Sequence, residues 1–288
     1  MFLAIGIVIV FVMIFGGYLL GGGHLEAVIE AAPTELIVIL GGAIGAMVIG
    51  NSLDTLKGVG GGFAKIAAGP KWKKQDYTDL LLLLFSLTKL MKSKGVVALE
   101  AHIEKPSESA IFSRYPKILK DHHSVHFICD TLRMMTMNLD DPHQVEANME
   151  KQLEKHHHEA HLPSHALQNM ADGLPALGIV AAVLGIVKTM GAITEPPAIL
   201  GTMIGHALVG TFLGVFLAYG LIAPMAARLG QIVDEEHQFY VIIMDVLVAH
   251  LHGNAAQVSA EIGRGSVPSS IQPSFAVLEE AIGNLPND

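Results

Sequence analysis

The sequence predicts an all-α membrane protein: four transmembrane helices, a large helical domain between the second and third, and a helical tail after the fourth. Three observations carry this. Of 288 residues, 51% are apolar and 16% charged, against the roughly 25% charged residues usual in soluble domains. The charges are also segregated, because residues 1–54 and 174–226 together hold only Glu26, Glu30, Glu35, Asp54, Lys188 and Glu195. Within those poorly charged segments lie four apolar stretches of the length, about 20 residues, that a helix needs to cross ~30 Å of hydrocarbon. Strand signals are nearly absent. This pattern excludes a disordered chain, a collagen-like fibre and a disulfide-stapled scaffold, the single Cys129 having no second cysteine to pair with. A net charge of −9 with one short basic cluster argues against nucleic acid as a partner.

Residues 2–20, the first span, carry no charge, lack the basic n-region and small-residue cleavage site of a signal peptide, and read as a retained helix. The second span is expected at 33–53, with Glu35 in its first turn. Lys57, Lys65, Lys71, Lys73 and Lys74 come directly after it and Arg228 after the fourth span, whereas 21–32 and 194–197 hold no Lys or Arg. By the positive-inside rule the lysines lie in the cytoplasm and both termini are cytoplasmic. The glycine run 58–62 precedes no Gly-Lys-Ser/Thr and is expected to be a flexible membrane exit. Between the spans, apolar residues at three- and four-residue spacing predict helices at 76–93, 124–137 and 141–161. The leucine run 80–84 is too short to span, so it packs on a neighbour or lies at the membrane surface. The third span, 174–193, opens on Pro175, a favourable first-turn residue. The fourth, 198–227, is too long for a simple span and should tilt or project as continuous helix, with Pro224 as a kink or hinge. A tail helix over 231–251 ends near Gly253, and Pro268, Pro273 and Pro286 break up the last stretch of chain. The expected divisions are 1–54, 55–173, 174–227 and 228–288.

Small residues recur one turn apart at Gly201, Gly205, Gly210, Gly214 and Ala218, and at Gly41 and Gly45. Such faces let helix backbones approach closely, within one chain or between subunits. The histidines His156, His157, His158 and His161 do not form His-Glu-x-x-His, since Leu162 stands four residues after His158. Neither they nor His122, His123 and His126 complete a metal site, and both groups read as solvated helix faces. No nucleophile elbow, dinucleotide fingerprint or catalytic triad order appears, so neither an enzyme nor a cofactor is expected. The third and fourth spans offer Thr189, His206, Thr211 and Tyr219 but no carboxylate. If ions cross here, a partner brings the acid that binds them.

Gly16-Gly17-Tyr18-Leu19, Glu35-Leu36-Ile37-Val38-Ile39, Leu174-Pro175-Ala176-Leu177-Gly178-Ile179-Val180-Ala181-Ala182-Val183, Ala207-Leu208-Val209-Gly210-Thr211-Phe212-Leu213-Gly214, Leu217-Ala218-Tyr219-Gly220, Ile111-Phe112-Ser113-Arg114-Tyr115-Pro116 and Pro273-Ser274-Phe275 together resemble the MotA family, ring-forming subunits of the flagellar stator. The resemblance covers essentially the whole chain. It implies a homo-pentameric ring in the inner membrane around a dimer of MotB, a single-span, peptidoglycan-binding partner whose aspartate takes the proton. It also implies that Pro175 and Pro224 couple ion passage to conformational change and that Glu100 engages the rotor protein FliG. Lys92 stands where the family has arginine, which keeps the charge and loses the planar fork. Sodium-driven relatives carry threonine where this chain has Ala182, while both types have the threonine seen here as Thr211, so the resemblance favours H+ over Na+ as the transported ion. Two other readings stay open: an ExbB/TolQ-like energiser of outer-membrane processes, and a secondary transporter, which would need a substrate cavity and usually an internal repeat.

Overall fold

The computed structural model describes residues 2–137 and 141–286, and every regular element among them is helical. The order is α1 (Phe2–Leu20), α2 (Glu26–Gly50), α3 (Leu53–Ala68), α4 (Lys74–Lys94), α5 (Val96–Ile103), α6 (Pro116–Leu119), α7 (His122–Thr136), α8 (Pro142–Gly191), α9 (Pro197–Val215), α10 (Ala223–Leu251), α11 (Ala256–Gly265) and α12 (Phe275–Gly283). A π-helical segment, Phe216–Ile222, joins α9 to α10. Helix α1, helix α2, part of α8 and the run from α9 into α10 are each long and apolar enough to cross a membrane. The chain forms two compact units, one of residues 1–69 and 160–232, the other of 70–159 and 233–288. Two of the three boundaries fall inside helices, α8 and α10, and the third falls between α3 and α4.

The first unit wears its large apolar side chains outside: Met13, Ile37, Ile49 and Val187 are all exposed, Ile49 by 89%. That is the reverse of a water-soluble bundle. Its interior is built of Ala31, Ile39, Ala43, Leu174, Ala181, Val209, Leu213 and Ala218, since association in lipid depends on close packing of small residues rather than on burying grease. Helix α1 lies on α9 and the π segment through Phe11 and Phe15, whose rings meet Phe212 and Phe216 edge-on at 5.1–5.9 Å.

The structure departs from the sequence expectation mainly at proline and glycine. The second span begins at Glu26, not near residue 33, and Pro33 lies inside it; neighbouring helices tolerate an interior proline in a membrane span. Pro175 does not open a helix either, because α8 is continuous from Pro142 to Gly191 and holds both Pro163 and Pro175. The glycine run 58–62 is helical, part of α3. A Cβ on Gly58 would lie 2.6 Å from Pro163 Cγ, and one on Gly62 2.8 Å from Leu229 Cδ2, so these glycines admit neighbours instead of loosening the chain.

The second unit has a conventional apolar core. Leu80, Leu81, Leu83 and Leu84 are fully buried, which settles the leucine run as core packing. Trp72 stacks on Phe239 with centroids 3.9 Å apart, and the Lys71 and Lys117 ammonium groups lie over the indole. Lys117 pairs with Asp76, the carboxylate that also accepts the Lys73 amide at the start of α4. Helix α11 closes on α4 and α10 at Gly263, where any Cβ would meet Val246 at 2.3 Å. Pro268 and Pro273 lie between α11 and α12.

Of the histidines expected to form solvated faces, His122, His126 and His158 are exposed, whereas His123, His156 and His157 are half-buried. His123 stacks on His156 at 3.6 Å, and Tyr240 meets both rings edge-on. His157 bonds Asp234 at 2.9 Å. Burial, with His123 next in weight, pushes the His156 imidazole down to about 4, and burial lowers His123 as well. Beside them, burial works against the Asp121 carboxylate, but hydrogen bonds from Lys71 and Ser124 outweigh it and hold it below the usual range. The unfolded chain takes up protons near pH 6.5 that the folded His156 refuses until about 4. Stability from this ring is therefore complete above about pH 6.5 and lost as pH falls toward 4, by about 1–2 kcal/mol after discounting its partial exposure. Trp72 is the single tryptophan, so its fluorescence during thermal unfolding reports this unit. His156→Phe is expected to flatten the pH dependence between 6.5 and 4.

Candidate ion pathway

The third and fourth spans cross as a glycine-lined antiparallel pair. A Cβ on Gly178 would lie 2.8 Å from the Gly210 carbonyl oxygen and 3.0 Å from Gly214 Cα, and one on Gly185 would lie 2.7 Å from Ala207 Cβ. One on Gly214 would lie 2.7 Å from the Leu174 carbonyl oxygen. Gly178 thus faces Gly214 and Gly185 faces Ala207, with the Ala182 amide 3.3 Å from the would-be Cβ of Gly210 between them. This register sets Ala182 and the neighbour of Gly210, Thr211, at one level of the crossing; both are half-buried. Gly210 and Gly214 are therefore occupied within the chain, whereas among the described residues nothing stands within 4 Å of a Cβ on Gly201 or Gly205.

Both prolines interrupt hydrogen bonding along these spans. Pro175 supplies no amide to Ala171, and Pro224 supplies none to Gly220. The helix answers Pro224 with a wide turn: the Ala223 amide donates to Ala218, five residues back. Single π turns of this kind occur often at functional positions. Tyr219 lies in the wide segment and is exposed.

One polar contact was not legible in the sequence. Glu35, expected at the end of its span, sits nine residues into α2. Its Oε2 lies 2.7 Å from the position of a Gly210 Cβ, so the carboxylate reaches the level of Ala182 and Thr211. His206, one turn before Gly210 on the same face, has Nε2 3.5 Å from Glu30 Oε2. The apolar pattern around Glu35 placed it on a helix but gave no sign of its partner, because nothing local links residue 35 to residue 210.

Lys92 and Glu100 belong to the second unit. Lys92 is in the last turn of α4, Gly95 ends that helix with φ +79°, and Glu100 is on α5. Both are exposed, and neither is held by an ion pair among the described residues. Burial, and after it the charge of Lys92, keeps the nearby His250 below its ordinary range.

The chain is similar along its full length to proteins of one kind. It is 39% identical over 287 residues to Motility protein A of Salmonella typhimurium, covering 100% of this chain and 97% of that protein, and equally to Motility protein A of Escherichia coli. The chain belongs to the Motility protein A family. Its Motility protein A N-terminal region is residues 4–95, and residues 120–240 match the MotA/TolQ/ExbB proton channel family. Chemotaxis protein LafT of Vibrio parahaemolyticus is 35% identical, with 96% of each chain covered. Two solved structures share the Motility protein A fold. One of C. jejuni MotAB has a TM-score of 0.73 at 16% identity, covering 95% of this chain and 98% of that one. The flagellar MotAB stator complex of Bacillus subtilis has a TM-score of 0.68 at 23% identity, covering 90% and 92%.

Proposed function

We propose that this chain is the ring-forming stator subunit of a flagellar motor, conducting protons across the inner membrane with a MotB-type partner and turning that flow into torque. The full-length similarity to Motility protein A of Salmonella typhimurium, 39% over 287 residues, carries this reading. The pathway geometry supports it: a glycine-locked pair of spans presents Ala182 and Thr211 at one level and carries no carboxylate of its own, which suits an aspartate supplied by the partner. Ala182 in place of a hydroxyl favours protons over sodium, since a carboxylate takes a proton unaided while sodium needs oxygens to replace its water. Five copies around a partner dimer, both termini in the cytoplasm and the second unit facing FliG complete the proposal.

Each proton crossing releases about 2.3 kcal/mol per 100 mV. Neutralising the partner aspartate beside Thr211 changes its preference between wall and lumen, Pro175 and Pro224 convert that change into helix movement, and the ring steps around the fixed partner. Lys92 and Glu100 deliver the step to the rotor. Deleting the gene in its flagellated host should leave normal filaments that do not turn, with rotation of tethered cells restored by the gene. Filaments that rotate as before would favour the ExbB/TolQ-like role. Glu100→Lys is expected to lower torque several-fold at unchanged proton flux; loss of flux as well would refute this division of labour.

A further inference from the structure

Helix α1 meets the wide-turn segment along a short run. Phe15 lies on Phe212 and Phe11 on Phe216, and Val10 stands beside Gly220, where a Cβ would lie 3.3 Å from Val10 Cγ1. This pairing is antiparallel, so Leu3 falls toward Arg228. Beyond it, α1, the end of α3 and the start of α10 enclose a groove of about 470 Å³, with Leu3, Ile7 and Val10 on one side, Tyr219 and Pro224 on another and Ile66 on α3. Arg228 is the one charged residue among the described residues that line it. Gly6, Tyr219 and Pro224 are exposed, so the groove opens on the outside of the first unit. From Gly220 to Arg228 it is about 12 Å long, a length that stays within one leaflet of a ~30 Å hydrocarbon core.

The occupant of such a groove is apolar along its length and anionic at one end. A second copy of the first unit offers few anions there: at the Arg228 end of the spans its carboxylates are Asp54 and Asp172, which already face Lys57 at 3.7 Å and Gln168 at 2.9 Å. A phospholipid brings both parts in the right order, a phosphate at the membrane surface and a hydrocarbon chain below it. We propose that this groove is a phospholipid-binding site in which one acyl chain lies along Leu3, Ile7 and Val10 and the phosphate is held by Arg228. Arg228 gives an N–H to Gln231 Oε1 at 3.2 Å, and its planar fork of donors matches phosphate oxygens better than an ammonium does. Lys57 and Lys65 of α3 lie toward the same end and draw anionic headgroups to the mouth of the groove. The chain fills a gap whose lining atoms otherwise lack contacts on one side. Because Tyr219 and Pro224 form a wall, the bound lipid packs on the wide turn itself and supports the conformation that Pro224 imposes.

The test uses the full chain with its MotB-type partner in vesicles of phosphatidylethanolamine and phosphatidylglycerol, doped with a phosphatidylglycerol that carries a diazirine midway along one acyl chain. After illumination, peptide mapping should find the probe on residues 3–10 and 219–225. Gly6→Phe puts a ring into the groove without a clash, since nothing among the described residues stands within 4 Å of a Cβ there; labelling should fall about tenfold. Arg228→Gln should lower it by a similar factor, that of one lost charge-assisted hydrogen bond, and Arg228→Lys by less. Leu20→Phe, at the far end of α1 and 92% exposed, should leave labelling unchanged, and all four variants should elute as the parent does. Labelling within about twofold of the parent in either Gly6→Phe or Arg228→Gln means that only bulk lipid touches this face and overturns the proposal. So does a Tyr219→benzoylphenylalanine protein that captures a second copy of this chain in place of phospholipid. A chain that takes up no MotB-type partner is tested by itself in the same vesicles, so the lipid site stands or falls apart from the stator reading.

Discussion

A Gly214→Val protein is expected not to accumulate as an assembled membrane protein and to abolish motility, the largest effect of any single substitution in the spans. The first atom of the new side chain would lie 2.7 Å from the Leu174 carbonyl oxygen and 2.9 Å from Gly178 Cα. Both are backbone atoms, so no rotamer change relieves the overlap, and the helices must part by about an ångström along the whole crossing. Separation forfeits the dispersion contacts that hold helices together where no hydrophobic force acts. Overpacking of ordinary cores costs about 1–3 kcal/mol, and a rigid backbone contact belongs at or above the top of that range. Gly178→Val should behave alike. Gly201→Val and Gly205→Val are the contrast, since nothing among the described residues stands within 4 Å of a Cβ at either position. They should accumulate normally as single chains. If they then fail to form rings, that face lies between subunits. Immunoblots of membranes, chemical crosslinking and swimming assays separate these outcomes.

That contrast marks how far the sequence can be read. The four spans are legible because charges are nearly excluded from 1–54 and 174–226, a constraint imposed by the solvent and visible in composition alone. The glycine face is legible as a face, but not its occupant: Gly210 and Gly214 look like Gly201 and Gly205 in sequence, and only the partner helix distinguishes them. Proline misleads most. Pro33 and Pro175 read as helix starts by their water-soluble preference, yet both lie inside long helices, where a membrane protein tolerates proline. The stacked pair His123 and His156 is unreadable for a different reason, since 33 residues separate its members and an isolated histidine on a charged helix looks solvated. Glu35 combines both problems, a misplaced helix start and a partner 175 residues away.

Pro224→Ala carries the second large effect, and it should act on coupling rather than on assembly. Proline at 224 offers no amide to Gly220, and the turn before it opens so that Ala223 bonds Ala218. Alanine restores the missing donor, so a regular α turn becomes available to the segment for the first time. Closing a π turn removes one residue from the winding, which rotates everything beyond it by about 100° relative to the span. The packed residues Ala226 and Leu229 resist that rotation, leaving the variant divided between a strained wide turn and a shifted narrow one. The chain should therefore assemble at near-normal levels. Torque should fall on the order of tenfold, the factor that about 1.4 kcal/mol of altered preference between two helix states produces. Proton flux through the unloaded complex should fall less than torque does. Tethered-cell torque measured beside vesicle flux decides the matter. Equal losses in both would place Pro224 in the conduction path itself, whereas unchanged torque would make the wide turn a passive feature of the fold.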